Sequence, residues 1–207
     1  MPGTTTQLGA ARLRAQRVTG DDERTPAEVV AALCAVQAQD YAGSLWAIGL
    51  RAPGSTEATV ERAADERLIV RTWPMRGTLH FVAAADARWM LSLLTPRLLR
   101  GGAAHERRLG IDERLLAKAR RVLARALRDG RRLSRPDLYA CLEAAGIATG
   151  QRGIHIVCRL AMEGFLCCAG REGKQTAFAL LEEWLPASPP RTRDDARSIS
   201  SPPSTST

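Results

Sequence analysis

The chain has 207 residues, 45% of them hydrophobic and 25% charged, with 30 Lys and Arg against 22 Asp and Glu for a formal net charge of +8. That length holds one ordinary domain or two small ones around a buried core, and with no eighteen-residue apolar run no membrane span is expected. The start, Met1-Pro2-Gly3-Thr4-Thr5-Thr6, lacks the basic-then-apolar order of a signal peptide, so a cytoplasmic protein is expected.

In chain order, Thr25 as N-cap and Pro26 at the first helical position open a helix predicted over residues 27–36. Gln37-Ala38-Gln39-Asp40 follows, two amides on an apolar run where that helix must stop. Residues two apart diverge on a helix and point the same way on an extended segment. If the chain straightens at Gln37, both amides converge on one object; the alternative is a helix end with solvated polar residues. A short apolar helix over 43–50, a turn at 51–54 and a helix over 56–66 capped by Ser55 come next. A strand over 68–73, a turn at 74–77 and a returning strand over 78–82 make a hairpin, and helix resumes over 84–94.

The second half repeats the plan. Asp112 caps a helix to 128, Ser134 with Pro136 opens one to 144, and a third runs over 151–164. Strands at 165–168 and 175–181 then flank a glycine-bearing basic loop at 169–174. Three helices and a two-stranded hairpin are the winged-helix plan, so the expected fold is mainly α with small β-hairpins, an α+β tandem winged-helix protein. The expected domains are 1–104 and 105–187. The Pro-, Ser- and Arg-rich tail, 188–207, has too little apolar surface to offset its chain entropy and is expected to be disordered.

The charge is concentrated: residues 100–135 hold 12 Lys and Arg against 4 Asp and Glu, while the flanking stretches nearly balance. Arg114, Lys118, Arg121, Arg125 and Arg128 step by four and three along the helix opened by Asp112, and Arg131, Arg132 and Arg135 extend the stripe. Such a stripe is either solvated surface or a phosphate-binding face, and a basic excess focused in this way points to nucleic acid. In the helix-turn-helix reading, Gln151, Arg152 and His155 open the recognition helix, and Arg171 and Lys174 mark the wing. Five cysteines without a C-x-x-C pair and three scattered histidines predict neither a disulfide framework nor a metal site. No cofactor motif and no conventional nucleophile motif is present.

The first hairpin is chemically crowded, with Arg71, Thr72, Trp73, Arg76, Thr78 and His80 within ten residues; Arg71, Arg76, Thr78 and His80 are candidate site-lining residues, although a strand histidine is more often structural. Gln37-Ala38-Gln39-Asp40, Val70-Arg71-Thr72-Trp73 through Gly77-Thr78-Leu79-His80, and Glu163-Gly164-Phe165-Leu166 through Gly173-Lys174-Gln175 together resemble the AlkZ-like (AlkZ/YcaQ) winged-helix DNA glycosylases over roughly residues 8–195. The resemblance implies tandem winged helices, hydrolysis of the glycosidic bond of alkylated or crosslinked purines, double-stranded alkylated DNA as partner, and Gln37 and Gln39 as the catalytic pair. It also implies a third winged helix and a β-rich region after the second, so the chain is expected to be C-terminally truncated. A non-catalytic winged-helix DNA-binding or regulatory protein, and an inactive glycosylase fragment, are the alternatives.

Overall fold

The computed structural model describes residues 5–19 and 23–185 of the chain. After α1 (Thr5–Ala15), helix α2 (Pro26–Leu33) opens on the expected Thr25, whose hydroxyl accepts from Glu28 N while the Glu28 carboxylate accepts from Thr25 N. The helix stops three residues earlier than expected, because Cys34 adopts a left-handed φ of 62° and releases the chain into β1 (Val36–Gln37). Helix α3 (Tyr41–Gly49) starts earlier than expected, since Asp40 caps it by accepting from Gly43 N at 3.2 Å. Thr56, not Ser55, caps α4 (Glu57–Asp65), trading bonds with Thr59. Strands β2 (Ile69–Met75) and β3 (Thr78–Ala83) are joined by a two-residue turn, Arg76-Gly77, with φ of 53° and 67°. Pro74 lies in a register shift between Thr72 and Met75, where its missing N–H costs no ladder bond.

Helix α5 (Ala84–Arg108) runs 25 residues, well past the expected end near residue 94, and the boundary expected at 104/105 falls inside it. Pro96 lies inside it, and beside it the Thr95 hydroxyl shares its one proton between two carbonyls, Leu91 O at 2.8 Å and Met162 O at 2.9 Å. Then come α6 (Glu113–Leu127), β4 (Leu133–Ser134), α7 (Arg135–Ala144), α8 (Gly153–Met162), β5 (Leu166–Glu172), β6 (Gln175–Leu180) and α9 (Leu181–Trp184), with Asp112 and Ser134 as the expected caps. The loop expected at 169–174 is largely strand. A bulge between Cys168 and Arg171, with Gly170 at φ +74°, absorbs the extra residue and lets the ladder continue. The expected tail, 188–207, lies outside the described residues.

The two halves have the same element order, α2-β1-α3-α4-β2-β3 and α6-β4-α7-α8-β5-β6, so the chain is a tandem winged-helix protein of α+β class. What the sequence did not indicate is that the hairpins fuse. Antiparallel pairing of β2 with β5, Arg71 opposite Cys168, gives one six-stranded sheet of order β1-β3-β2-β5-β6-β4. Each half contributes its strands in mirrored order, so the sheet reads the same from either end. On one sheet face, Ile69 and Phe81 join the core of α2 to α4, while Trp73, Leu79, Leu166, Cys168 and Phe178 join the core of α6 to α8. Val70, Val82, Cys167, Ala169 and Ala179 point the other way, into a third core with α5 and α9.

Gly170 sits where the halves meet, and a Cβ there would stand 2.5 Å from Asp65 Oδ1 in a backbone conformation that L side chains rarely adopt. Gly170→Ala is expected to cost about 2 kcal/mol of stability, measured by denaturant unfolding.

Candidate functional site

The Gln37-Ala38-Gln39-Asp40 segment is held almost residue by residue. Gln37 pairs with His80 at the sheet edge, Ala38 N donates to Leu79 O at 2.8 Å, Leu79 N donates to Gln39 Oε1 at 3.1 Å, and Asp40 caps α3. A backbone N–H only donates, so Leu79 fixes the Gln39 amide with its oxygen inward and its NH2 group outward. The segment is extended at Gln37, as the convergence of the two amides required, but the amides are used differently. Gln39 lines a cavity of about 480 Å³, whereas Gln37 lies outside that lining, exposed, with no hydrogen-bond partner for its amide among the described residues.

The cavity opens on the sheet face between the two helical cores. Its walls include Gln39, Arg71, Trp73, Gly77 and Leu79 from the first half and Arg135, Ile154, Cys158, Lys174, Gln175, Thr176 and Phe178 from the second. Trp73 and Phe178 stack with centroids 6.4 Å apart and planes within 10°. Three of the lining residues are cationic and none is a carboxylate. Arg71 is 8% exposed and makes no salt bridge among the described residues; its Nε and Nη2 donate to Ala38 O at 3.0 and 2.7 Å, and its Nη1 donates to Thr176 Oγ1 at 3.2 Å. Burial pushes the Cys158 thiol up to about 11 and the Cys168 thiol up to about 12, so these cavity thiols stay protonated at neutral pH and are poor nucleophiles.

Of the other candidate residues, Arg76 is exposed at the hairpin turn, and the Thr78 and Thr72 hydroxyls are buried without hydrogen-bond partners among the described residues. His80 is 3% exposed and shares a cross-strand row with Gln37 and Thr72. Its Nδ1 lies 2.9 Å from Thr78 O, and since a carbonyl only accepts, Nδ1 carries the proton. The basic stripe forms as expected: Arg114, Lys118, Arg121, Arg125 and Arg128 are exposed and make no salt bridge among the described residues. Gln151 is exposed, but Arg152 spends its guanidinium on Ala148 O and Gly110 O. The His155 ring packs edge-on against His105 at 4.9 Å. Arg171 turns inward instead of outward from the wing, over the Tyr41 ring at 4.6 Å and onto Lys174 O, with Glu61 at 3.8 Å. Lys174 is exposed at the cavity rim. Thr176 and Gln175 were missed as site residues; their signal was adjacency to the Gly173-Lys174 turn, which carries no chemistry of its own.

The family model described as DNA glycosylase AlkZ-like matches residues 30–200. The chain belongs to the AlkZ-like family. An interstrand DNA cross-link repair glycosylase of Streptomyces sahachiroi is 28% identical over 180 residues, 84% of this chain and 48% of that protein. The solved structure of the Streptomyces sahachiroi DNA glycosylase AlkZ matches with a TM-score of 0.73 at 25% identity, over 96% of this chain and 56% of that one. The chain thus spans about half the length of the relatives it matches.

Among the described residues of this AlkZ-like chain, no helix is long and apolar enough to cross a membrane, and no cluster of three metal-ligating side chains occurs. Burial lowers the His80 pKa below its ordinary 6.5, against the opposing hydrogen bond to Thr78. A histidine that protonates more readily in the unfolded chain removes stability as pH falls through the unfolded value and restores it as pH rises. The melting temperature is therefore expected to fall between about pH 7 and about pH 5, with a smaller fall in His80→Asn, as followed by circular dichroism.

Proposed function

We propose that this chain carries a DNA glycosylase site that hydrolyses the N-glycosidic bond of alkylated purines in double-stranded DNA in the cytoplasm. The observation that carries the reading is the seat of Gln39: its amide is locked by Leu79 N–H at a cavity lined by three cations and no carboxylate. Membership of the AlkZ-like family supports it, and so does the likeness to the interstrand DNA cross-link repair glycosylase and the DNA glycosylase AlkZ of Streptomyces sahachiroi.

An N7-alkylated purine is already a cation, so its departure needs no strong general acid. The C1′–N9 electron pair moves onto the base and neutralises it, the sugar becomes oxocarbenium-like, and a water oxygen bonds to C1′ as the water loses a proton to solvent. Glutamine is no base at neutral pH, and its contribution is placement. The free Gln37 amide accepts from the attacking water through its oxygen. The outward NH2 group of Gln39 donates to the sugar-phosphate. Arg71, Arg135 and Lys174 repel a cationic base and attract a phosphodiester, so the backbone of the damaged strand takes the cavity and the base stays outside it. The exposed arginines of α6 offer a further anion-binding surface.

The test is release of 7-methylguanine from methylated duplex DNA by the full chain. Gln37→Ala and Gln39→Ala are each expected to lower single-turnover release by about 100-fold with DNA binding retained; release at the unmodified rate in both overturns the mechanism. Selective binding of one undamaged sequence with no release would favour a DNA-binding protein without catalysis. Neutralising Arg121 and Arg125 together is expected to reduce the log–log salt slope of DNA binding by about 2, measured by fluorescence anisotropy across a salt series.

A further inference from the structure

Resting on the glycosylase reading, we infer that Arg71 is a positioning residue: it clamps the backbone between the two glutamines to the second winged helix and so keeps Gln39 in its seat. Both donors on one edge of the guanidinium meet the same oxygen, Ala38 O, at 3.0 and 2.7 Å, and the remaining Nη1 reaches Thr176 Oγ1 on β6 at 3.2 Å. Ala38 is fully buried, so its carbonyl has no water to fall back on. The peptides on either side of the Ala38 Cα are thereby held from two strands. Its N–H is taken by Leu79 O of β3, its carbonyl by Arg71 of β2, and Leu79 N returns to Gln39 Oε1.

Arg71 differs in kind from the arginine that braces the helices. Arg159 is a strut among carboxylates, meeting Glu106, Glu113 and Glu163. Arg71 meets no carboxylate among the described residues. The nearby Glu61 accepts from the Tyr41 hydroxyl at 3.1 Å and faces Arg171, while the Arg71 guanidinium lies 5.2 Å from the Tyr41 ring centroid. Its bonds go to the glutamine segment and to the opposite half, which is the pattern of a spacer between two parts of one site. A lysine keeps the charge but lacks the planar fork, and cannot hold Ala38 O twice and Thr176 at the same time.

The Leu79 amide reports the seat directly, because its N–H is bonded to the Gln39 side chain. In the full chain, Arg71→Lys is expected to speed hydrogen exchange at Leu79 and Ala38 by about tenfold, with the rest of the sheet unchanged. It is also expected to lower kcat for 7-methylguanine release by about 100-fold while KM stays within about twofold. Thr176→Val, which removes one acceptor and keeps the shape, is expected to move both readings in the same direction by a smaller factor, and it decides the matter if Arg71→Lys does not fold. Exchange at Leu79 unchanged in both variants overturns the clamp, as does a uniform rise across the sheet with kcat and KM intact, which a bracing arginine would give. If the unmodified chain releases no base, the glycosylase reading fails, and the exchange at Leu79 still decides for or against the clamp.

Discussion

The pairing of β2 with β5 is the constraint on which the rest depends. A winged helix standing alone leaves its second strand as an open edge, a row of unmatched N–H and C=O groups that invites a foreign strand. Here each half closes the other's edge at Arg71 and Cys168, and one sheet results. Because each half contributes its strands in mirrored order, features near the junction meet their counterparts. The turns at Gly77 and Lys174 both reach the cavity rim, and Gln39 and Arg135 line it as well. The cavity is the space left where two helical bundles sit side by side on one sheet face.

That junction needs a polar plug, and Arg71 supplies it. Taking a guanidinium out of water costs several kcal/mol unless its donors are met, and Arg71 meets a carbonyl twice, a hydroxyl once and an aromatic face. None of these partners is an anion. The charge is therefore bonded but not neutralised, and its field remains in the cavity with those of Arg135 and Lys174. A carboxylate in place of Thr176 would stabilise the junction more and erase that field. The choice of neutral partners fits a surface that meets a polyanion.

Local signals in the sequence carried most of the fold. Thr25, Asp112 and Ser134 cap the helices they were expected to cap, and the strand, turn and returning strand expected over 68–82 form the first hairpin. These features were legible because each is decided within a few residues by a side chain that satisfies a backbone group. The misplaced features have long-range causes. Helix α5 runs past Pro96 into a contact of Thr95 with Met162, 67 residues away, and the bulged stretch of β5 is met by Arg132, which donates to Ala169 O. Arg152 and Arg171 read as outward cations until Gly110, Tyr41 and Glu61 come within reach of them. The Gln39 seat depends on an N–H 40 residues away, which no spacing rule conveys.

The repeat also explains why the glutamine segment needs a clamp at all. By register, Gln37 opposite His80 corresponds to Ser134 opposite Ala177. In the second half that same residue caps the next helix, so β4 runs straight into α7. In the first half the cap is delayed to Asp40, and Ala38 and Gln39 fall in chain that the second half lacks. This extra chain has one backbone bond to the sheet, Ala38 N to Leu79 O, and the rest of its order comes from side-chain bonds. Leu79 and Arg71 provide it, one from each strand of the adjoining hairpin. The amide of Gln39 is thus the product of an insertion into a symmetric frame, seated by an arginine whose direct cross-strand partner in the other half is a cysteine with no such reach.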